Sequence, residues 1–142
     1  MAYSRLASSA WPTPGGDPGV LSIHLVNSIV EADYLLKVPW NNCRIAYAYT
    51  IVTNVAVDAT TNWSIGIYKT ATTGTLLVDC TIPKSSAIGT VTDGTMNNTV
   101  AAGTARKNLL NTNLLCITSI GDGTTPTGEC ELYIYFEPSP LA

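Results

Sequence analysis

Along much of the chain, apolar and polar residues alternate at every second position, the signature of strands that bury one face. "VLSIHLV" sets Leu21, Ile23 and Leu25 on one face and Ser22 and His24 on the other. "NWSIGIYK" sets Trp63, Ile65 and Ile67 against Ser64, Gly66 and Tyr68. The sharpest alternation is the last, "ECELYIYFEP", with Cys130, Leu132, Ile134 and Phe136 facing in and Glu129, Glu131, Tyr133 and Tyr135 facing out. "DYLLKVPW" is a short apolar strand stopped by Pro39. "NNCRIAYAYTIVT" is the longest run, and its phase places Ile45, Tyr47, Tyr49 and Ile51 on one side, with Arg44, Ala46, Ala48 and Thr50 on the other. That aromatic side reads as core or as an interface.

Turn chemistry separates these runs. "TATTGTL" turns around Gly74 into "TLLVDCTIP", where Cys80 shares a phase with Leu76, Val78 and Ile82 before Pro83 ends the strand. "KSSAIGTVTDGTMNNTVAAGT" is rich in small residues and contains Asp93-Gly94, which predicts short edge strands and turns. "NLLCITSI" and the terminal strand flank the loop "GDGTTPTG". "ARKNLLN" is the one helical candidate, and no internal repeat is present. About eight or nine short strands with regular turns predict an all-β sandwich or barrel.

The chain has 142 residues, which fits one domain. Its beginning is different in kind. "SSAWPTPGGDPGV", Ser8 to Val20, is crowded with proline and glycine and supports neither helix nor strand ladder. The expected division is an extended arm over 1–19 and a β-domain over 20–142.

Charge is scarce. Charged residues make up 12% of the chain, about half the ~25% usual for soluble globular proteins. Threonine, serine, asparagine and glycine must then supply the polar surface, and a surface so poor in charge suits one that is covered in an assembly. The net charge of −3 opposes binding to nucleic acid, which needs a basic field. No apolar run is long enough to cross a membrane as a helix. The opening "MAYSRLASSAWPTP" lacks the apolar core of a secretory signal, so synthesis in the cytoplasm is expected. Cys43, Cys80, Cys116 and Cys130 lack the close paired spacing of a zinc site. By phase Cys80 and Cys130 belong to the core as free thiols.

Candidate chemistry is thin. His24 is the one histidine and lies on the polar side of its strand, where it would need a serine or cysteine brought beside it to act as a base. Glu129 and Glu131 share a strand face, a pattern that could mimic a glycosidase acid pair but is explained more cheaply as solvated charge on an exposed sheet. Asp93 and Asp122 sit in turn sequences without the oxygen ligands that calcium requires. Asn62 and Asn97 begin N-glycosylation triplets that carry no weight in a chain made in the cytoplasm. No enzymatic activity, cofactor or metal is expected. Tyr68, Tyr133 and Tyr135 are outward by phase and are the candidate interface aromatics, suited to a protein partner or to a sugar.

From about Leu35 onward an ordered series of features carries a resemblance. "LLKVPWNNCRI" is a strand, a proline break and a restart; "WSIGIYKTATTGTLLVDCTIP" is a hairpin closed by Ile-Pro; "SSAIGT" precedes "NNTVAAGT"; and "CELYIYFEP" closes on proline. In this layout the chain resembles the small jelly-roll decoration, or cement, proteins of tailed-phage heads. It departs from them at "AAGTARKNLLN", where related chains often carry an acidic residue directly after Ala-Gly. The resemblance implies a single-domain jelly roll of about eight strands, commonly a homotrimer on the outer surface of the virion, clamping neighbouring major capsid protein subunits. It also implies that the leading segment is a docking arm, with Tyr3, Leu6 and Trp11 as anchors, Arg5 as its early charge, and Pro12 and Pro14 keeping it extended. The alternative is a carbohydrate-binding or adhesin-type sandwich, such as a fibre knob, acting through the exposed tyrosines.

Overall fold

The computed structural model describes residues 19–39, 42–57, 62–69, 74–97, 99, 109–110, 113–121 and 125–138. The arm residues Tyr3, Arg5, Leu6, Trp11, Pro12 and Pro14, most of "ARKNLLN", and Asp122 lie outside the described residues. Within them the chain forms β1 (Gly19–Val26), β2 (Ala32–Lys37), β3 (Cys43–Val57), β4 (Trp63–Lys69), β5 (Leu76–Ile82), β6 (Val91–Asp93), β7 (Thr95–Met96), β8 (Leu114–Ile120) and β9 (Thr127–Pro138). These strands make a four-stranded sheet, ordered β1-β9-β3-β6, and a five-stranded sheet, ordered β2-β8-β4-β5-β7. All the pairings are antiparallel.

The strand β6 belongs to one sheet and β7 to the other. Counted as one strand that changes sheets, they leave an eight-stranded jelly roll in which the first and last strands lie side by side. Gly94 is the step between them. Its N–H donates to the Ala48 carbonyl at 2.8 Å, and a Cβ there would sit 2.6 Å from Val78 Cγ1 and 2.9 Å from that same carbonyl oxygen. Glycine is thus required where the chain crosses from sheet to sheet.

The facing sides of the two sheets make one core. Leu21, Ile23, Leu25, Leu132, Ile134 and Phe136 come from one sheet, and Trp63, Ile65, Ile67, Val78, Ile82 and Ile117 from the other. Trp63 is almost completely buried, yet its indole N–H donates to Ser119 Oγ at 2.8 Å, so the ring enters the core without leaving a donor unpaired. All four cysteines are free and buried, as expected for Cys80 and Cys130 and now also seen for Cys43 and Cys116. Burial pushes the Cys80 thiol up to about 12.

Two bulges correct the strand phases read from sequence. In β3 the register against β9 shifts between Ile45 and Tyr47. The extra residue reverses the phase, so Ile45 is 2% exposed while Tyr47 is 48% exposed. Ala48, Thr50 and Val52 then point into the core, and Tyr47, Tyr49 and Ile51 stand on the outer face. A second shift, between Ile67 and Tyr68 against β5, sets Leu77 fully in the core and leaves Leu76 partly exposed, reversing the expectation for Leu76.

Gly128 and Gly89 separate two kinds of glycine requirement. Gly128 has φ 131°, and a Cβ on it would lie 2.6 Å from the Ala56 Cα; Gly89 has φ 87° but open space around it. Gly128→Ala should therefore lower the unfolding free energy by about 3 kcal/mol, because it combines strain with a backbone clash. Gly89→Ala should cost only about 1 kcal/mol, from its positive φ alone. Urea unfolding of the two variants measures the difference, and equal losses would contradict this account.

Candidate functional site

The outer face of the four-stranded sheet gathers most of the chemistry-bearing side chains. β9 runs between β1 and β3, and its outward residues are Glu129, Glu131, Tyr133 and Tyr135. The register places Tyr133 opposite Tyr49 and Tyr135 opposite Tyr47. The four rings form a stack. Tyr133 lies 5.1 Å from Tyr49, Tyr49 lies 5.9 Å from Tyr135, and Tyr135 lies 4.3 Å from Tyr47. Interplanar angles in this series run from 14° to 23°.

Rings stacked in this way cover one another's faces and leave edges and hydroxyls for solvent. The Tyr49 and Tyr135 hydroxyls are 3.5 Å apart. The hydrogen bond to Tyr135, together with burial, raises the Tyr49 phenol to about 12. Of the candidate aromatics, Tyr133 and Tyr135 thus belong to a four-membered ladder. Its other half, Tyr47 and Tyr49, was assigned the wrong neighbours by the unbroken alternation. Tyr68 stands apart, half-buried on the outer side of β4 in the other sheet.

Beside the ladder lies a charged group. The β1–β9 register sets His24 opposite Glu131. Its Nε2 is 2.7 Å from Glu129 Oε1 and its Nδ1 is 3.0 Å from Glu131 Oε1. The Asn54 side-chain amide donates to the second oxygen of Glu129 at 3.1 Å. A neutral imidazole has a lone pair on one nitrogen, which would face a carboxylate oxygen here; with both nitrogens facing carboxylates, the geometry favours the imidazolium over the neutral ring. In that state it has no lone pair with which to take a proton. His24 is a clamp between two glutamates, not an isolated strand histidine, and the glutamates are not simply solvated charge. A pairing between strands more than a hundred positions apart leaves no mark in either local sequence.

Farther along the same face, the Arg44 guanidinium pairs with Glu137 at 2.5 Å. Among the described residues, no group of three or more His, Cys, Asp or Glu side chains is placed to hold a metal ion.

Neither a family model nor a curated protein matches the chain. Among solved structures it is similar to a Bacillus protein described in the words "Bacillus endospore appendages form a novel family of disulfide-linked pili". The identity is 12% and the TM-score 0.36, over 91% of this chain and 97% of that one. A likeness at that level bears on neither the function nor the details of the fold.

Partial burial works to lower the His24 pKa, but the hydrogen bonds and charges of Glu129 and Glu131 outweigh it, and the net direction is upward from 6.5. A raised folded-state pKa stabilises the fold fully below the unfolded value near 6.5 and ceases to do so as pH rises through the folded value. Glu129 moves the other way, held below 4.5 by its bonds to Asn54 and His24, so its share is present above 4.5 and fades as pH falls. NMR titration of His24 should give a midpoint above 6.5 that returns toward 6.5 in Glu129→Gln and Glu131→Gln. A midpoint at or below 6.5 in the unaltered protein would contradict the clamp.

Proposed function

We propose that this protein is a structural virion component that decorates and cements the outer surface of an icosahedral phage head by bridging major capsid protein subunits. The observation that carries this reading is the tyrosine ladder on the outer face of the four-stranded sheet. Tyrosine-rich surfaces are enriched at protein interfaces because a rigid aromatic body gives contact area at little entropic cost while the hydroxyl remains satisfied. Here the rings already support one another, so docking freezes few rotamers.

Three further features support the same role. The sandwich is filled by its own side chains, which suits a rigid unit. The chain as a whole is poor in charge, so covering its surface removes few ions from water. The residues before β1 are rich in proline, and a restricted segment loses less entropy on docking than a Gly/Ser linker. In a homotrimer three such arms act together, and modest contacts add up to slow release.

The carbohydrate-binding alternative calls for ring faces open to solvent, on which a sugar can lie. In the ladder both faces of Tyr49 and Tyr135 and one face each of Tyr47 and Tyr133 are turned toward neighbouring rings, which is why we favour assembly over sugar recognition for this sheet.

Native mass spectrometry of the full chain should give a trimer, and a concentration-independent monomer would count against the proposal. Removal of residues 1–18, which stops short of β1, should leave a folded oligomer that no longer stays on mature heads during sedimentation. The double variant Tyr47→Ala, Tyr135→Ala should weaken attachment about tenfold or more, the loss expected for aromatic anchors. Attachment unchanged in both altered proteins would overturn the assignment.

A further inference from the structure

Each sheet ends on one side in a strand of ordinary length, β1 in the four-stranded sheet and β2 in the five-stranded one. Among the described residues β2 pairs with β8 alone, so its outer edge has no neighbour. The phase of that pairing decides which backbone groups are left over. The Val38 N–H donates to the Asn113 carbonyl at 3.3 Å, one step beyond the pair of Lys37 with Leu114. In an antiparallel ladder the backbone groups of alternate residues point to opposite sides of the strand. Those of Tyr34 and Leu36 therefore turn toward β8, and those of Asp33, Leu35 and Lys37 turn toward the free edge.

The same three residues carry the outward side chains of the strand, and all three are exposed, Leu35 by 52%. Asp33 and Lys37 have no ion-pair partner among the described residues. Read along the strand, Asp33, Leu35 and Lys37 are their own complement when a second copy is laid alongside antiparallel. A twofold axis through Leu35 sets Asp33 opposite the second copy's Lys37, Lys37 opposite its Asp33, and the two leucines against each other. Each of these pairs is then of the kind that exchanges both backbone hydrogen bonds. Moving the axis to Asp33 or to Lys37 sets like charges against each other, which is destabilising across a ladder. Pro39 has no N–H to offer and ends the usable edge. The edge of β1 lacks this order: an axis at Ser22 sets His24 against Val20, and an axis at His24 sets that ring against itself.

We propose that β2 is a docking edge for a second copy of this chain, the two strands pairing about a twofold axis at Leu35 so that their five-stranded sheets become one. The backbone groups supply the adhesion and the charges select the register. Leu35, which has Cys116 beside it on one side only, is covered on the other side by the second copy's leucine. Because the contact is isologous, each favourable charge pair occurs twice. One strand edge is a small interface, which suits a contact that forms where copies are crowded together. The inference goes beyond the virion role and does not rest on it: β2 joins units, whether a unit is one chain or three.

Sedimentation velocity of the full chain at low salt, from about 1 µM to about 1 mM, should show units associating as concentration rises. Asp33→Lys and Lys37→Asp each create like-charge pairs on both sides of the axis and should each weaken the association about tenfold or more. An equal mixture of the two variants sets opposite charges against each other again and should associate as the unaltered chain does, a rescue that misfolded variants would not give. Amide exchange supplies a second readout. The Leu35 N–H should exchange more slowly at the high end of the range than at the low end, while the Leu36 N–H, already turned toward β8, should not change. Absence of association across the range, association indifferent to both single variants, or a mixture that fails to restore it would overturn the proposal. So would association that is lost on removing residues 1–18 and untouched by the charge changes, which would place the leading segment of another copy on the edge instead. The mass of the smallest unit bears on the trimer of the virion role alone, so the two readings fail separately.

Discussion

The register of β9 is the constraint on which the rest depends. That strand is hydrogen-bonded to β1 on one side and to β3 on the other, so most of its residues are fixed twice. Its inward set, Cys130, Leu132, Ile134 and Phe136, is fully buried. A slip of one residue would put Glu129, Glu131, Tyr133 and Tyr135 into the core in their place, which no compact sandwich tolerates. The same pairing that protects the core aligns Tyr135 with Tyr47, Tyr133 with Tyr49 and Glu131 with His24. Core and outer surface are therefore two consequences of one register.

Where a strand keeps its period, sequence was a sufficient guide. The faces of β1, β4 and β9 fall as their alternation predicts, and from them the all-β class follows, with a sandwich or a barrel as its architecture. β3 shows the limit. It is 15 residues long, well beyond the usual ~5–6 of a strand, and a twisted strand of that length commonly accommodates a bulge. Alternation carries no mark at the inserted residue, because Ala46 and Ala48 are equally small and either phase looks plausible. The length of the run and the outward tyrosines of β9 were the available signals of a phase change in β3. The His24 clamp was beyond local reading altogether, since it exists only after β1 and β9 have paired.

The sheet edges show how a chain with so few charges limits unwanted pairing. At one end of each sheet the edge strand is very short, three residues in β6 and two in β7. So short a strand offers little backbone for another chain to extend. Shared between the two sheets through Gly94, this corner closes the roll where an open edge would otherwise remain. Exposed apolar residues include Val91 on β6 itself, and others gather around the turn that leaves β1, at Val26, Ile29 and Val30, and at Leu35 on β2.

The two outer faces differ in how far their polar groups are satisfied. On the four-stranded sheet the charges are largely paired within the face, His24 with two glutamates and Arg44 with Glu137, and the tyrosines cover one another. Such a face presents shape and hydroxyl edges with little uncompensated charge, and burying it against a flat protein surface costs little desolvation. On the five-stranded sheet Glu31 and Asp79 are exposed and have no ion-pair partner among the described residues. The difference follows from the register of β9, which sets tyrosine beside tyrosine and histidine beside glutamate on one sheet alone.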